Sequence, residues 1–302
     1  MTKLSVVVCT YNRVDYLIRA LEHLRDQKGV SSDDYEVVVV NNNSPDDTES
    51  SVIQFLADNG LDGKWTYVLE KNQGHTYSRN RGIQESSGKL ISFIDDDAYV
   101  RKGYCRAIID FFQSHPNVSA IGGKIIPLYE SKEPRWMTKY LLPLVAALDM
   151  GPTPKKFKHG KFPIGANMAY CADVFENYGL FNVELGRRGE GLEGGDEKDL
   201  IYRLRQGNEL IYYSPDVCVD HVIPEKRTQN EYIRGLAIGV GTSEKKRLKT
   251  LPKAATFRKV IDESVKVTGT LVLALLYYIR LEFDKANMLI RFRLWVIKGY
   301  LS

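Results

Sequence analysis

The sequence predicts an α/β protein in which an open, mostly parallel sheet carries helices on both faces. Short β-branched runs alternate with segments of helical periodicity, and polar clusters follow these runs directly. The runs are apolar throughout, as strands buried on both faces tend to be. Such βαβ repetition is typical of doubly wound sheets, whose ligands bind at the carboxyl ends of the strands. We therefore expect a binding site where the strands end and the loops begin.

The first 125 residues contain four predicted strands with helices between them. The strands are predicted at residues 4–9, 35–40, 65–69 and 90–94. After the first strand, apolar residues recur at helical spacing at Tyr16, Leu17, Ala20, Leu21 and Leu24. After the second, they recur at Val52, Ile53, Leu56 and Ala57. Strand and helix thus alternate along the sequence, as a βαβ architecture requires.

The second half of the chain is predicted to resume this alternation after a stretch of long loops. Residues 127–163 are rich in Pro, Lys and aromatic residues without a clean period, and we interpret them as loops over the site. We then expect a strand at 168–170, helices at 173–178 and about 198–205, and a strand near 210–213. We assign residues 1–240 to one domain whose halves meet near residue 125, and residues 241–302 to a helical extension.

The composition indicates a globular protein with a sizeable core. The chain has 302 residues, of which 43% are apolar and 26% are charged, which excludes collagen-like and largely disordered proteins. Its four cysteines form no C-x-x-C pair, so we expect reduced thiols rather than disulfides or a zinc site. The first apolar run is too short for a signal peptide, and the longest has ten residues against the ~20 of a spanning helix. We expect a cytoplasmic protein.

Positive charge is concentrated at the C-terminal end of the chain. From residue 244 to residue 302 there are 13 Lys and Arg against 5 Asp and Glu, whereas the rest of the chain carries a net charge of −4. Arg280, Arg291, Arg293 and Lys298 alternate with Trp295, Tyr300 and aliphatic residues. This pattern fits basic amphipathic helices on the inner face of the cell membrane. It equally fits a packed helix pair with a solvated basic face, and both interpretations stay open.

Three adjacent carboxylates follow the fourth predicted strand. Asp95, Asp96 and Asp97 would repel one another strongly unless a cation neutralises them. Oxygen ligands with open positions suit Mg²⁺ or Mn²⁺ shared with a substrate diphosphate. The alternative is an acidic turn that caps the next helix. The triplet alone does not decide between these alternatives.

Four blocks of the sequence, in order, resemble the signature of family 2 glycosyltransferases. They are residues 6–13 (VVVCTYNR), 36–44 (EVVVVNNNS), 72–83 (NQGHTYSRNRGI) and 93–97 (FIDDD). The resemblance continues through residues 165–168, 194–200 and 215–221. It implies the GT-A fold, a Rossmann-like αβα sandwich. It also implies inverting transfer of a sugar from a nucleotide diphosphate donor to an acceptor hydroxyl, in cell-surface polysaccharide or glycoconjugate synthesis.

The resemblance implies a set of residues that bind the nucleotide-sugar. These are Thr10, Tyr11, Asn12, Arg13, Asn42, Asn72, Gly74, Arg79, Asp95, Asp96, Gly165 and Asn167. Asn42 stands where many members have an Asp that contacts the base or ribose. The missing Asp leaves the identity of the base open, and a UDP-sugar is favoured over a dTDP- or GDP-sugar without excluding them. Arg79 is expected to neutralise phosphate, with a helix-surface salt bridge as the alternative.

The resemblance also implies a metal site and a catalytic base. The D-x-D pattern places Asp95 and Asp97 on Mg²⁺ or Mn²⁺, and His221 stands where related enzymes have a histidine near the metal or diphosphate. The family usually presents Glu-Asp before a helix, whereas here Asp196 precedes Glu197. Glu197 aligns with the usual base that takes the proton of the acceptor, and Asp196 is its rival. Acids enriched in a first helical turn explain one of them equally well.

Other functions are less well supported by the sequence. It lacks the Walker A, Rossmann dinucleotide, zincin and nucleophile-elbow motifs, which removes the simplest NTPase, dehydrogenase, protease and hydrolase interpretations. A missing Q-x-x-R-W motif favours single additions over processive synthesis. A sugar nucleotidyltransferase and a non-catalytic nucleotide- or carbohydrate-binding module remain alternatives. Nucleic acid is not an expected partner, whereas a glycan or lipid-linked acceptor is.

Overall fold

The computed structural model describes residues 2–158, 160–186, 195–248 and 253–302. The chain divides into two compact units. The first contains the chain up to Leu128 together with Ala146–Val222, and the second contains Tyr129–Val145 and Ile223–Ser302. Residue 194, the first residue of the block 194–200 that carries part of the resemblance, lies outside the described residues. The predicted boundary at residue 240 falls inside a helix of the second unit.

The first unit begins with the predicted alternation of strands and helices. Its first seven elements are β1 (Leu4–Thr10), α1 (Val14–Arg25), β2 (Tyr35–Asn41), α2 (Thr48–Asp58), β3 (Thr66–Leu69), α3 (His75–Glu85) and β4 (Leu90–Asp95). They are followed by β5 (Ala98–Val100), α4 (Tyr104–Ser114), β6 (Val118–Tyr129), β7 (Lys155–Lys156), β8 (Met168–Cys171), α5 (Asp173–Tyr178), α6 (Asp196–Gln206) and β9 (Leu210–Ile223). The four predicted strands of the first 125 residues are confirmed.

Within the described residues, these strands form one mixed sheet in the order β3-β2-β1-β4-β8-β6-β9-β5, with β7 beside β9. Strands β1 to β4 are parallel where they pair. From β8 onward the pairings between β4, β8 and β6, and those of β9 with β5 and β7, are antiparallel. The prediction of a parallel sheet is therefore correct for the pairings among β1 to β4, and the later strands pair antiparallel.

The core lies on both faces of this sheet, as the continuous apolar strands predict. Val6 and Val8 pack into one buried cluster with α1, α2 and α4, whereas Val7 and Cys9 pack into the other with α5 and α6. Successive side chains of a strand point to opposite faces, so β1 contributes to both clusters. Helices therefore cover the two faces, and the loops at the strand ends are left to form a site.

Three local predictions differ from the structure. The last strand extends through Pro215 to Ile223 rather than ending near Tyr213, because its second part pairs with β5. The helix expected to begin near residue 198 begins at Asp196. The stretch predicted as loops, residues 127–163, contains the end of β6, a 3₁₀ turn at Leu142–Val145, and β7. These elements depend on pairing with distant residues, which a local pattern does not reveal.

The second unit is helical. It contains a 3₁₀ turn at Glu225–Thr228 and helices α7 (Asn230–Leu248), α8 (Lys253–Ile279) and α9 (Phe283–Leu301). Helix α9 packs against both α7 and α8. At the α7–α9 crossing, a Cβ on Gly241 would lie 2.1 Å from the carbonyl oxygen of Val296, so this close approach requires glycine. None of the helices in the described part of the chain is long and apolar enough to cross a membrane.

Candidate active site

The carboxyl ends of β1, β2 and β4 meet at one edge of the sheet, because β1 lies between the other two and all three are parallel. The Thr10 hydroxyl donates to Asp96 Oδ2 at 2.8 Å. The backbone N–H of Asn12 donates to Ser44 Oγ at 3.0 Å. Asn12 itself has a φ of +55°, a conformation that Asn adopts more readily than most residues. The predicted gathering of three strand ends at one rim is confirmed.

Asp97 is buried between a positively charged residue and a histidine. Its side chain is 1% exposed. Arg13 Nη1 donates to Asp97 Oδ2 at 2.7 Å, and His221 Nε2 lies 3.1 Å from Asp97 Oδ1. The short strand β5 follows the triplet and pairs with β9, so that Ala98 lies opposite His221. The antiparallel pairing of these strands therefore brings His221 to the end of the triplet.

Asp95, Asp97 and His221 form a cluster that fits a divalent cation. One potential ligand atom from each residue lies within 4.8 Å of the other two. Carboxylate oxygens suit Mg²⁺ and Mn²⁺, and a neutral imidazole is a common ligand of transition metals. Asp95 is 32% exposed, so the cluster opens to one side. The three predicted metal ligands are thus adjacent and chemically suitable.

Asp96 lies deeper than the two acids beside it. It accepts from Thr10, and Arg13 Nη1 lies 3.4 Å from its Oδ1. Burial, followed by the neighbouring charge of Asp97, raises the pKa of Asp96 to about 7, although Arg13 opposes this shift. These bonds connect the ends of β1 and β4, and the contact of Asp96 with the nucleotide-sugar stays a prediction.

Asn42 holds the loop between β3 and α3. Its amide nitrogen donates to the carbonyl oxygens of Glu70 at 3.2 Å and Asn72 at 2.7 Å, and its amide oxygen accepts from the N–H of Gly74 at 2.8 Å. Gly74 has a φ of +142°, which glycine adopts without strain. An Asp at position 42 has no donor for the two carbonyls. An Asn at position 42 is therefore explained by the structure, because its amide holds the loop between β3 and α3.

The acids Asp196 and Glu197 lie in the first turn of α6 and share one arginine from α3. Arg79 Nη1 is 2.6 Å from Asp196 Oδ2, and Arg79 Nη2 is 3.2 Å from Glu197 Oε1. The side chain of Arg79 is 2% exposed, that of Asp196 5% and that of Glu197 22%. Arg79 was predicted to face phosphate or solvent. In the structure its guanidinium is buried and directed at the two acids.

The pKa values of the two acids are shifted in opposite directions. Burial raises the pKa of Asp196, but the positive charges of Arg79 and His75 outweigh it and the pKa is lowered overall. Burial likewise raises the pKa of Glu197, and here the opposing charge of Arg79 does not outweigh it, because Asp196 and Asp95 add to the effect of burial. Asp196 is therefore held as a carboxylate, whereas Glu197 binds a proton more readily than an ordinary Glu.

Gly165 and Asn167 have different environments. A Cβ on Gly165 would lie 1.9 Å from Arg79 Nη2 and 2.4 Å from Glu197 Oε1, so the backbone packs directly on the acid–arginine group. Asn167 is fully buried, and its amide donates at 2.9 Å to the carbonyl oxygens of Lys124 and Val217. These bonds join the chain before β8 to β6 and β9. Asn167 thus stabilises the sheet rather than presenting its side chain at the rim.

The remaining predicted donor-binding residues differ in exposure. Tyr11, Asn12 and Asn72 are exposed, Arg13 is half-buried, and Thr10, Asn42 and Gly74 are buried. Tyr11 follows Thr10, the last residue of β1, and its side chain is 46% exposed. Aromatic side chains in such positions are suited to stack on a planar base.

Two neighbours of the site were missed by the sequence analysis. His75 begins α3, and its Nε2 lies 3.7 Å from Asp95 Oδ1. The ring of Phe181 lies 5.5 Å from the Arg79 guanidinium carbon, in a cation–π contact. His75 stands inside the recognised block at 72–83, directly after Gly74, and this position was the available signal. Phe181 has no local signal, because its contact joins distant parts of the chain.

A family model and a curated relative match this chain. The model described as glycosyl transferase family 2 matches residues 5–179. A glucosyl-dolichyl phosphate glucuronosyltransferase of Haloferax volcanii is 26% identical over 235 residues, which cover 76% of this chain and 72% of that protein.

Two solved structures share the fold. The mannosyltransferase PcManGT from Pyrobaculum calidifontis, in complex with GDP-Man and Mn²⁺, has a TM-score of 0.65 at 17% identity and covers 99% of this chain and 86% of its own. S. aureus TarS in complex with UDP-GlcNAc has a TM-score of 0.56 at 18% identity and covers 79% and 66%. The order of the sheet and the polar rim agree with the fold that the sequence blocks imply. The chain therefore belongs to glycosyl transferase family 2 and has the GT-A fold.

Proposed function

We propose that this glycosyltransferase moves a sugar, with inversion, from a nucleotide diphosphate donor to an acceptor hydroxyl in a metal-dependent reaction. The convergence of Asp95, Asp97 and His221 carries this proposal. The acids of α6 lie close enough for the charge of Asp95 to act on Glu197. This proximity supports a site for the leaving diphosphate beside a site for the base, the arrangement that direct displacement requires.

Asp95, Asp97 and His221 would hold the metal, and Mn²⁺ or Mg²⁺ is the proposed ion. When bound, the metal would supply positive charge to the departing diphosphate. The similar structures hold GDP-Man and UDP-GlcNAc, which supports a nucleotide-sugar donor and leaves the base open. We retain a UDP-sugar as the first candidate. We propose that Tyr11, whose side chain is exposed, stacks on the base.

Glu197 is the proposed base. Its carboxylate would take the proton of the acceptor hydroxyl while that oxygen forms a bond to the anomeric carbon. The bond from this carbon to the diphosphate oxygen breaks in the same step, and its electron pair leaves with the nucleoside diphosphate. Two observations support Glu197 over Asp196. Glu197 is more exposed, and its raised pKa brings it nearer to the working pH of a general base, whereas Asp196 is buried in an ion pair.

The experiment that tests this function measures release of nucleoside diphosphate. The protein is incubated with UDP-, GDP- and dTDP-sugars, with Mn²⁺ or with a chelator, and product is followed with and without a glycan acceptor. We expect release with one nucleotide class, in Mn²⁺ and not in chelator. Pyrophosphate release from a nucleoside triphosphate would identify a nucleotidyltransferase instead, and donor binding without turnover would identify a binding module.

We further propose that the acceptor is carried on a lipid and that the second unit contacts the inner face of the membrane. The Haloferax relative is named for a dolichyl phosphate substrate. Helix α8 has a face of apolar residues that are exposed in the part of the chain that the structure describes. Its residues are Ile261, Val265, Leu271, Val272, Leu275, Leu276 and Ile279. At 100° per residue they span about 140° of arc, wider than a coiled-coil seam.

The charge of the neighbouring sequence fits an anionic lipid surface. Between residues 245 and 259 there are seven Lys and Arg and no acid, and residues 267–279 contain no charged residue. A basic segment followed by an exposed apolar helix face is the pattern of an interfacial helix. A second copy of the chain on this face would bring two basic segments together. An anionic bilayer is therefore the proposed partner.

Vesicle sedimentation tests this contact. The parent protein should pellet with phosphatidylcholine vesicles that contain phosphatidylglycerol and less with phosphatidylcholine alone. Leu275→Glu should remain in the supernatant, whereas Ile53→Glu, which changes an exposed apolar residue of α2, should pellet like the parent. If the parent stays in the supernatant with both vesicles, or forms a dimer that Leu275→Glu dissociates, the lipid proposal is wrong.

A further inference from the structure

Arg79 is a fully charged side chain placed almost without access to water. Its side chain is 2% exposed, and burial alone disfavours a charged guanidinium. The nearby charges of Glu197 and Asp196 outweigh burial and raise the pKa of Arg79 above its ordinary value. A buried cation of this kind persists when it is paired and hydrogen-bonded. Its partners are the two acids at the start of α6.

The guanidinium contacts the two acids through different nitrogens. Nη1 is 2.6 Å from Asp196 Oδ2, and Nη2 is 3.2 Å from Glu197 Oε1. The planar fork of an arginine fixes the direction of both bonds at once, which the single ammonium of a lysine does not. Among the described residues, Arg79 donates to Oε1 of Glu197, and we assign the proton of the acceptor to the second oxygen. The shorter bond ties the fork to Asp196.

The backbone of Gly165 packs against Arg79 and Glu197. A Cβ on Gly165 would lie 1.9 Å from Arg79 Nη2 and 2.4 Å from Glu197 Oε1. Real Cβ atoms do not approach other atoms so closely. Gly165 therefore leaves space for the bond between Nη2 and Glu197, and any side chain at that position would displace the pair.

We propose that Arg79 is a positioning residue that orients Glu197 for proton transfer, with Asp196 as the anchor of the guanidinium and Gly165 as the wall behind it. The proposal rests on Glu197 as the base. It replaces the phosphate contact predicted for Arg79, because both terminal nitrogens are directed at carboxylates and the side chain is enclosed. Displacement of a reacting group by about 1 Å costs about 10²-fold in rate, so small changes in this group have large effects.

A double-mutant cycle tests the proposal. Arg79→Lys, Glu197→Gln and the double variant are compared by kcat and by KM for the donor. We expect Arg79→Lys to lower kcat by about 10²-fold with the donor KM within about twofold of the parent. In the Glu197→Gln background, the same change should lower kcat no further, since it acts through Glu197. Arg81→Lys is the control, because Arg81 is on the same helix and pairs with Glu85 in solvent.

A second variant keeps the proposal testable if Arg79→Lys does not fold. The three atoms nearest to a Cβ at position 165 all belong to the side chains of Arg79 and Glu197 and none to the backbone, so we expect Gly165→Ala to retain the circular dichroism spectrum of the parent. It should also lower kcat without raising the donor KM. The control is Gly239→Ala, where a Cβ meets no atom within 4 Å.

The outcomes separate this inference from the proposed function. Parent activity in Glu197→Gln would contradict the base assignment. An inactive Glu197→Gln together with an unchanged kcat in both Arg79→Lys and Gly165→Ala would contradict the role of Arg79 alone. A raised donor KM with an unchanged kcat in Arg79→Lys would contradict the positioning role and support the contact of Arg79 with the phosphate of the donor. An equal loss of kcat in both backgrounds would make its effect independent of Glu197.

Discussion

The triplet after β4 and the acid pair at the start of α6 both bury neighbouring carboxylates, but their charges are balanced differently. Arg79 lies between the two acids of the pair and is enclosed with them. In the triplet, Arg13 pairs with Asp96 and Asp97, whereas Asp95 is partly exposed and lies near His221. The pair contains its own buried cation, and the triplet has an open side. An acidic cluster of the first kind suits proton transfer, and one of the second kind suits a metal ion.

The largest effect is expected from the triplet. Asp97→Ala should lower the transfer rate by about 10³-fold or more, because the charge that develops on the diphosphate is no longer stabilised. It should also weaken Mn²⁺ binding in calorimetry. Asp110→Ala is the control, since Asp110 pairs with Arg106 on the surface. If Asp97→Ala keeps the rate and the Mn²⁺ affinity of the parent, the proposal that the triplet binds the metal is wrong.

The next effect is expected from the base. Glu197→Gln should lower kcat by about 10²- to 10⁴-fold and leave Mn²⁺ binding intact. Because burial raises the pKa of Glu197 and the base acts as a carboxylate, kcat of the parent should fall as the pH drops through this raised pKa. Glu197→Gln should lose that acidic limb in a pH-rate profile. Retention of the limb would assign it to another group.

The free energy of unfolding should distinguish a buried ion pair from an exposed one, since Asp196 and Asp199 of α6 each pair with an arginine. Asp196→Asn should lower the free energy of unfolding by about 3 kcal/mol, because it leaves the buried Arg79 without its shorter ion pair. Asp199→Asn, which breaks a surface pair with Arg203, should cost less than about 1 kcal/mol. Urea unfolding measures both values. Equal losses would contradict the burial of the first pair.

The pH dependence of that loss has a definite sign. The pKa of Asp196 is lowered in the folded protein, so its ion pair stabilises above the pKa of an unfolded Asp. This stabilisation is lost as the pH falls through the lowered pKa. The difference between the parent and Asp196→Asn should therefore shrink on acidification. A difference that grows at low pH would be inconsistent with a lowered pKa.

The smallest effect is expected where an acid is added to the rim outside both clusters. Asn42→Asp should lower the free energy of unfolding by about 1 to 2 kcal/mol, because two carbonyl oxygens lose their donor. The measurement is urea unfolding, with donor KM as a second readout. If the variant is as stable as the parent and binds its donor more tightly, the amide is not needed to hold the loop.

Much of the first unit could be predicted from the sequence, because its signals are local. Four strands and the common rim follow from apolar runs and the polar residues after them. The adjacency of Asp95 and Asp97 is visible in the D-x-D pattern. What failed depends on long-range contacts. The extension of β9 past Pro215 follows from its pairing with β5.

The roles of individual polar residues were harder to predict. Arg79 and Asp196 are 117 residues apart in sequence, and no local pattern shows that they form a buried pair. Asn42 and Asn167 were expected to face a ligand, yet their amides bond to backbone groups. A motif gives the position of a polar side chain, and its bonding partners are decided only by the folded chain.

Strand β9 has a consequence for how much of the chain the chemistry needs. Residues 5–179 are sufficient to recognise the family, but Asp196, Glu197 and His221 all come later in the chain, and His221 reaches Asp97 only because β9 lies against β5. A fragment that stops at residue 179 would keep the recognisable half and lack Asp196, Glu197 and His221. A metal held by Asp95, Asp97 and His221 would link the chain before residue 179 to the chain after it. Metal binding would then also stabilise the pairing of β5 with β9.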